Sequence, residues 1–106
     1  MTKKKIMVVE DEQALLTLQS MLLSVEGYTV EGVMDGQTAL DVVETMMPDL
    51  ILLDIMLPEI DGLEVCRQVK ANEATRHIPI IMLTAKKSKE DPVSYTHLRA
   101  HETAYT

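Results

Sequence analysis

Three acidic residues in succession, Glu10-Asp11-Glu12, follow the apolar run Ile6-Met7-Val8-Val9. Asp54 follows a second run, Leu50-Ile51-Leu52-Leu53, and a hydroxyl, Thr84, follows a third that ends Ile81-Met82-Leu83. Carboxylates crowded together repel, and each becomes harder to ionise. A divalent cation relieves that conflict. An oxygen-only site beside open solvent suits Mg²⁺, which keeps several waters and uses few carboxylates. Each residue also has an ordinary use: Asp11 as a helix N-cap, Glu12 as a first-turn acid, Asp54 as a turn residue before Pro58, Thr84 as a strand-end threonine. Together at one edge they exceed what capping needs. The chemistry therefore depends on whether the chain brings positions 10–12, 54 and 84 to one place.

The apolar patterning supplies the elements that would do so. Ile6-Met7-Val8-Val9 reads as a buried strand. Leu15, Leu18, Leu22 and Val25 then fall three or four apart, as on one face of an amphipathic helix, with Gly27 where a C-cap tolerates positive φ. Tyr28-Thr29-Val30-Glu31-Gly32-Val33 alternates like a half-exposed edge strand. Asp35-Gly36 turns into a helix with Ala39, Leu40, Val43 and Met47 on one stripe, stopped by Pro48. Leu50 to Leu53 reads as a central parallel strand. A third helix opens at Asp61, with Glu64 placed for a capping box and Leu63, Cys66 and Val69 as its buried stripe. Ile78 to Leu83 makes a fourth strand, with Pro79 tolerable near its start. The alternation βαβαβαβ implies an α/β fold: a doubly wound parallel sheet with helices on both faces and right-handed crossovers. Ligands of such sheets gather at the carboxyl ends of the strands, where all the residues named above stand.

Composition narrows the function. With 17 acidic against 10 basic side chains in 106 residues, the net charge of −7 argues against direct nucleic-acid binding and for a cation or a basic partner face. A hydrophobic content of 46% is too high for disorder, and the lack of Phe and Trp leaves Val, Ile, Leu and Met to build the core. One cysteine excludes an internal disulfide. The apolar runs fall far short of the ~20 residues that span a membrane, and no apolar stretch makes a signal peptide of the basic start. The expectation is a soluble, cytoplasmic domain.

Four segments carry a family resemblance: Val8-Val9-Glu10-Asp11-Glu12, Leu52-Leu53-Asp54-Ile55-Met56-Leu57-Pro58, Asp61-Gly62 and Ile81-Met82-Leu83-Thr84-Ala85-Lys86. In this order and spacing they resemble a bacterial two-component response-regulator receiver domain, over about residues 3–91. The resemblance implies a flavodoxin-like sheet of order 2-1-3-4-5, for which a receiver protein is a standard example. It also implies that Asp54 accepts a phosphoryl group from a sensor histidine kinase. Glu10, Asp11 and Asp54 would hold Mg²⁺ with the backbone carbonyl of Met56, and Thr84 would follow the phosphoryl group by a hydrogen bond. Ionised Asp54 is the nucleophile, the cation neutralises incoming charge, and the product's added charge biases a switch toward an output domain or effector.

One family element is absent: a Lys, followed by Pro, at the end of a fifth strand. Fewer residues lie between Thr84 and Val93 than the dozen or so of one crossover, so a fourth helix, fifth strand and fifth helix do not fit. Lys86, Lys87 and Lys89 read as solvated loop charges. From Pro92 the chain changes in kind, and Val93 to Thr103 resembles the translation of a transposase-based sequencing adapter, whose junction allows Pro at position 92. The expected division is a partial receiver domain over 1–91 and a non-native or disordered tail over 92–106. Such a chain would fold marginally, leave its fourth strand as an open edge and accept phosphate poorly. Cys66 reads as a small buried hydrophobe, His77 as a loop residue, and His97 and His101 as unaligned. Two other functions compete: a Mg²⁺-dependent phosphohydrolase with an Asp nucleophile, and an interaction module independent of phosphorylation. The first would want a second Asp where Met56 stands, and degenerate receivers of the second kind often lack acids that are intact here. Dinucleotide binding fails, because no Gly-x-Gly-x-x-Gly follows the first strand.

Overall fold

The computed structural model describes residues 3–83 and 104–105. Strands β1 (Lys5–Val9), β2 (Thr29–Val33), β3 (Leu50–Asp54) and β4 (Ile80–Leu83) alternate with helices α1 (Gln13–Val25), α2 (Gly36–Met46) and α3 (Gly62–Ala71). All four strands pair in parallel, in the order β2-β1-β3-β4. The strands expected from apolar runs form where they were read, and β2 lies at the sheet edge, as its alternating pattern implies. Against β4 lies a two-residue strand, β5 (Ala104–Tyr105), antiparallel, with Ile80 opposite Tyr105 and Ile81 opposite Ala104. The β4 edge is therefore not wholly open. Its unpaired N–H and C=O groups can pair with any extended segment.

Side chains alternate across a strand, so β1 feeds two cores. Met7 and Val9 join Ile51, Leu53, Ile80 and Met82 in the larger one, which α2 and α3 cover with Ala39, Val43, Val65, Cys66 and Val69. Ile6 and Val8 face the other way and form a smaller cluster with Leu16, flanked by Leu23, Val30, Leu50 and Leu52. The burial of Cys66 pushes its thiol pKa up, in keeping with a structural role.

Three stripes differ from the sequence reading; in α2 the expected Met47 falls past the helix end and is exposed. In α1 the buried contact is Leu16, while Leu18, Leu22 and Val25 of the expected stripe are 52%, 59% and 83% exposed. Apolar residues occupy more than half of this helix's circumference, and the sheet takes the arc of Leu16 and Leu23. In α3 Leu63 is exposed, and Val65 is buried beside Cys66 and Val69. Helix starts agree better. Asp35 caps α2 by accepting from the Thr38 N–H at 2.8 Å, which holds its pKa below the usual carboxylate value. Asp61 caps α3 by accepting from the Glu64 N–H at 2.9 Å. The capping box does not close, because Glu64 is held by Arg67 and Gln68 instead, and its pKa is drawn down to about 2. Helix α2 ends at Met47, whose left-handed φ of 50° turns the chain into Pro48.

Candidate functional site

The parallel register brings the acids together. Val9 of β1 pairs with Leu53 of β3, so Glu10 and Asp54 follow one another across neighbouring strand ends. One carboxylate oxygen from each of Glu10, Asp11 and Asp54 lies within 4.8 Å of the others, a spacing that a single metal ion could bridge. Glu10 and Asp54 are each only 3% exposed, whereas acids of ordinary surface function stay in water.

Local structure assigns the acids differently from capping. Helix α1 starts at Gln13 with Glu12 as its N-cap residue, and Glu12 makes no side-chain cap. Asp11 is thus not the cap of α1; its carboxylate belongs to the acid cluster. Glu10 Oε2 accepts from the Glu12 N–H at 2.9 Å, which anchors the turn between β1 and α1. Asp54 Oδ1 accepts from the Met56 N–H at 3.1 Å. Asp54 therefore does act as a turn residue while its carboxylate also belongs to the acid cluster.

Beyond Asp54, the loop to α3 lines a hollow of about 420 Å³ with Met56, Leu57, Pro58, Glu59 and Asp61, and Asp11 lines it too. Glu59 sits at a left-handed φ of 62°, a conformation rare for a non-glycine residue and common beside working sites. The Met56 side chain is 47% exposed at this mouth. A second hollow, of about 310 Å³ between α2 and α3, lies apart from the acid cluster and is lined by Asp41, Glu44, Gln68 and Asn72 among others.

Thr84, Lys86, Lys87, Lys89, His97 and His101, and the sequence from Pro92 to Thr103, lie outside the described residues. His77 is exposed on the loop before β4, as expected. The sequence reading gave no role to Gly62 beyond its place in a motif, yet it packs on the main chain of Asp54. The signal available was the Asp-Gly pair at a helix start, which reads equally as a simple turn. Among the described residues, no helix is long and apolar enough to cross a membrane.

Comparison with known proteins agrees with this geometry. The family model described as the response regulator receiver domain matches residues 6–103. The chain is 46% identical over 99 residues to the alkaline phosphatase synthesis transcriptional regulatory protein PhoP of Bacillus subtilis, covering 93% of this chain and 40% of that protein. It is 43% identical over 89 residues to the response regulator PleD of Caulobacter vibrioides, covering 84% of this chain and 20% of that protein. The chain thus spans less than half the length of these curated relatives. Among solved structures, the receiver domain of a sensor histidine kinase from Pseudomonas aeruginosa, described with a magnesium ion in its active-site cleft, superposes with a TM-score of 0.75. It is 33% identical and covers 89% of this chain and 80% of that one. Fold, acid cluster and matched length converge: the chain belongs to the response regulator receiver domain family.

Proposed function

We propose that this chain is the phosphoacceptor module of a two-component phosphorelay, with Asp54 as the residue that takes the phosphoryl group from a sensor histidine kinase. The observation that carries this reading is the meeting of Glu10, Asp11 and Asp54 oxygens within 4.8 Å at the carboxyl edge of a parallel sheet. Receiver domains are phosphoacceptors rather than turnover enzymes, and this chain would act as one.

The donor set fits Mg²⁺: all-oxygen, acidic, and beside an open hollow. Glu10, Asp11, Asp54 and the Met56 carbonyl would hold it. Bound there, Mg²⁺ would supply charge neutralisation for the transferring phosphoryl group. Asp54 then supplies the nucleophilic oxygen: a P–O bond forms as the P–N bond of the donor phosphohistidine breaks, and the imidazole leaves with the electron pair. The Met56 N–H donates to Asp54 Oδ1 and so helps to orient the carboxylate for attack. Thr84 would bond the product phosphoryl group. Its added charge, close to two units, would bias a switch toward an output domain or effector of a longer parent protein. The cellular setting of this role is the cytoplasm, with no membrane or nucleic acid contacted by this chain.

Incubation with acetyl phosphate and Mg²⁺, followed by intact-mass analysis, tests the assignment. The expected result is slow gain of one phosphoryl group, lost in Asp54→Asn, with no turnover of phosphate esters. Equal labelling of Asp54→Asn, or ester turnover, overturns it in favour of another nucleophile or a hydrolase. A hydrolase is the poorer reading because Met56 stands where such an enzyme would place a second acid.

The same proposal divides the chain into a partial receiver domain over 1–91 and a non-native tail over 92–106. Resequencing the source DNA across codon 92 with adapter-free primers decides this. Adapter codons present in the genomic template would refute it.

A further inference from the structure

Gly62 opens α3 against the back of the Asp54 strand end. Its N–H donates to the Ile55 carbonyl at 2.8 Å. A Cβ at this position would stand 2.4 Å from the Asp54 carbonyl oxygen, 2.7 Å from Ile55 Cα and 3.0 Å from the Asp54 carbonyl carbon. Every one of those atoms is main chain, so no flexible side chain can swing aside. Gly62 is not among the residues with positive φ. Glycine is required here for space, not for conformation.

The 54–55 peptide that Gly62 touches leads to two groups of the site at once. It bears the Asp54 Cα, and it leads through Ile55 to Met56, whose N–H holds Asp54 Oδ1 at 3.1 Å. The same loop also lies close to Gly36 at the start of α2. A Cβ there would meet the Ile60 carbonyl oxygen at 2.7 Å and Val65 Cγ2 at 2.8 Å. Two glycines thus lie close to this loop, but only Gly62 meets the main chain of Asp54.

We propose that Gly62 is a positioning residue for the acid cluster: by lacking a Cβ it sets the 54–55 peptide, and through it the Asp54 carboxylate and the Met56 carbonyl, at the distance the cation requires. The inference rests on the functional reading above. Restoring ordinary contact, from 2.4 Å to 3.4 Å, displaces that peptide by about 1 Å. A misplacement of ~1 Å costs on the order of 10²-fold where reaction depends on alignment.

The test compares Gly62→Ala with Gly36→Ala in the full chain. Mg²⁺ alone is titrated against backbone amide NMR shifts, acetyl phosphate labelling is timed, and thermal melting is recorded. Both variants should lose stability. Gly62→Ala should also weaken Mg²⁺ binding at least ~10-fold and slow labelling ~10²-fold, while Gly36→Ala should keep both within about twofold of the parent. Equal weakening by both variants, or unchanged Mg²⁺ affinity in Gly62→Ala, overturns the positioning role. Should Gly62→Ala fail to fold, amide exchange in the parent chain decides. The Gly62 N–H should exchange at least ~10-fold more slowly at saturating Mg²⁺, and unchanged exchange overturns the proposal. A parent chain with no saturable Mg²⁺ shifts near Glu10, Asp11 and Asp54 overturns the functional reading as well. Saturable shifts with an indifferent Gly62 overturn only the positioning role.

Discussion

Neutralising Asp54 should stabilise the metal-free chain, and the size of that effect follows from the geometry. Carboxylate oxygens of Glu10, Asp11 and Asp54 lie within 4.8 Å of one another. At that distance, with an effective dielectric near 20, each like-charge pair costs about 3.5 kcal/mol. Asp54→Asn removes two such pairs and keeps an oxygen for the Met56 N–H. The amide fills almost the same volume, so packing changes little. Hydrogen bonds already made by the acids and partial access of solvent ions offset most of the gross repulsion. The net gain expected is ~1–2 kcal/mol, and each kcal/mol moves the melting temperature of a domain this size by roughly 4–8 °C. Thermal melts followed by circular dichroism, first in chelator and then in Mg²⁺, give the assay. In chelator Asp54→Asn should melt above the parent. In Mg²⁺ the parent should gain about 2.7 kcal/mol at a hundredfold excess over its dissociation constant, and the variant much less, so the order reverses. An Asp54→Asn chain that melts below the parent in chelator would refute the repulsion argument. Equal gains from Mg²⁺ would refute the role of Asp54 in holding the ion.

Two further expectations follow from packing and from capping. Leu16→Ala should cost about 2–5 kcal/mol by urea denaturation, because Leu16 is only 8% exposed, whereas Leu22→Ala, at 59% exposed, should cost under ~1 kcal/mol. Equal losses would mean that α1 lies rotated from the orientation described. Asp35→Ala should destabilise the chain at neutral pH and not in strong acid. The folded-state pKa of Asp35 is lowered by its hydrogen bonds to Thr38, so its contribution is full above the ordinary value of 3.8 and is lost as pH falls through the lower folded value. Urea midpoints of parent and variant across that range would show the gap closing, and a gap as wide in strong acid as at neutrality would contradict the cap.

What the sequence made legible, and what it did not, divides along a physical line. Strands were legible because an apolar run buried on both faces has few other homes, as Met7 and Val8 show on opposite faces with at most 1% exposure. Helix starts were legible wherever a carboxylate could accept from the first-turn N–H three residues on, as at Asp35 and Asp61. Helix rotation was not. Periodicity shows that α1 has an apolar face, but its leucines span two adjacent arcs, and only the sheet decides between them. The sheet accepts Leu16, whose Cδ1 stands 2.9 Å from where a Cβ on Gly32 would be, and β2 can come this close because Gly32 has none. A pattern within one helix holds no information about a glycine on the strand opposite.

The site divides in the same way. Its charges were legible because like charges at strand ends demand an explanation that capping does not supply, and the structure removes the alternative by leaving Asp11 off the cap of α1. Its shape was not legible, because shape here is made by missing atoms. Gly62 acts through the contact that a Cβ would break, 2.4 Å from the Asp54 carbonyl oxygen. Composition counts it only as one glycine among four. The acids alone would specify affinity for a cation; the close approach of α3 to the 54–55 peptide specifies where Asp54 must stand while that cation is held. A receiver-like edge with the acids retained and Gly62 replaced should therefore bind metal weakly at an unaligned site, and chemistry at Asp54 should suffer more than binding does.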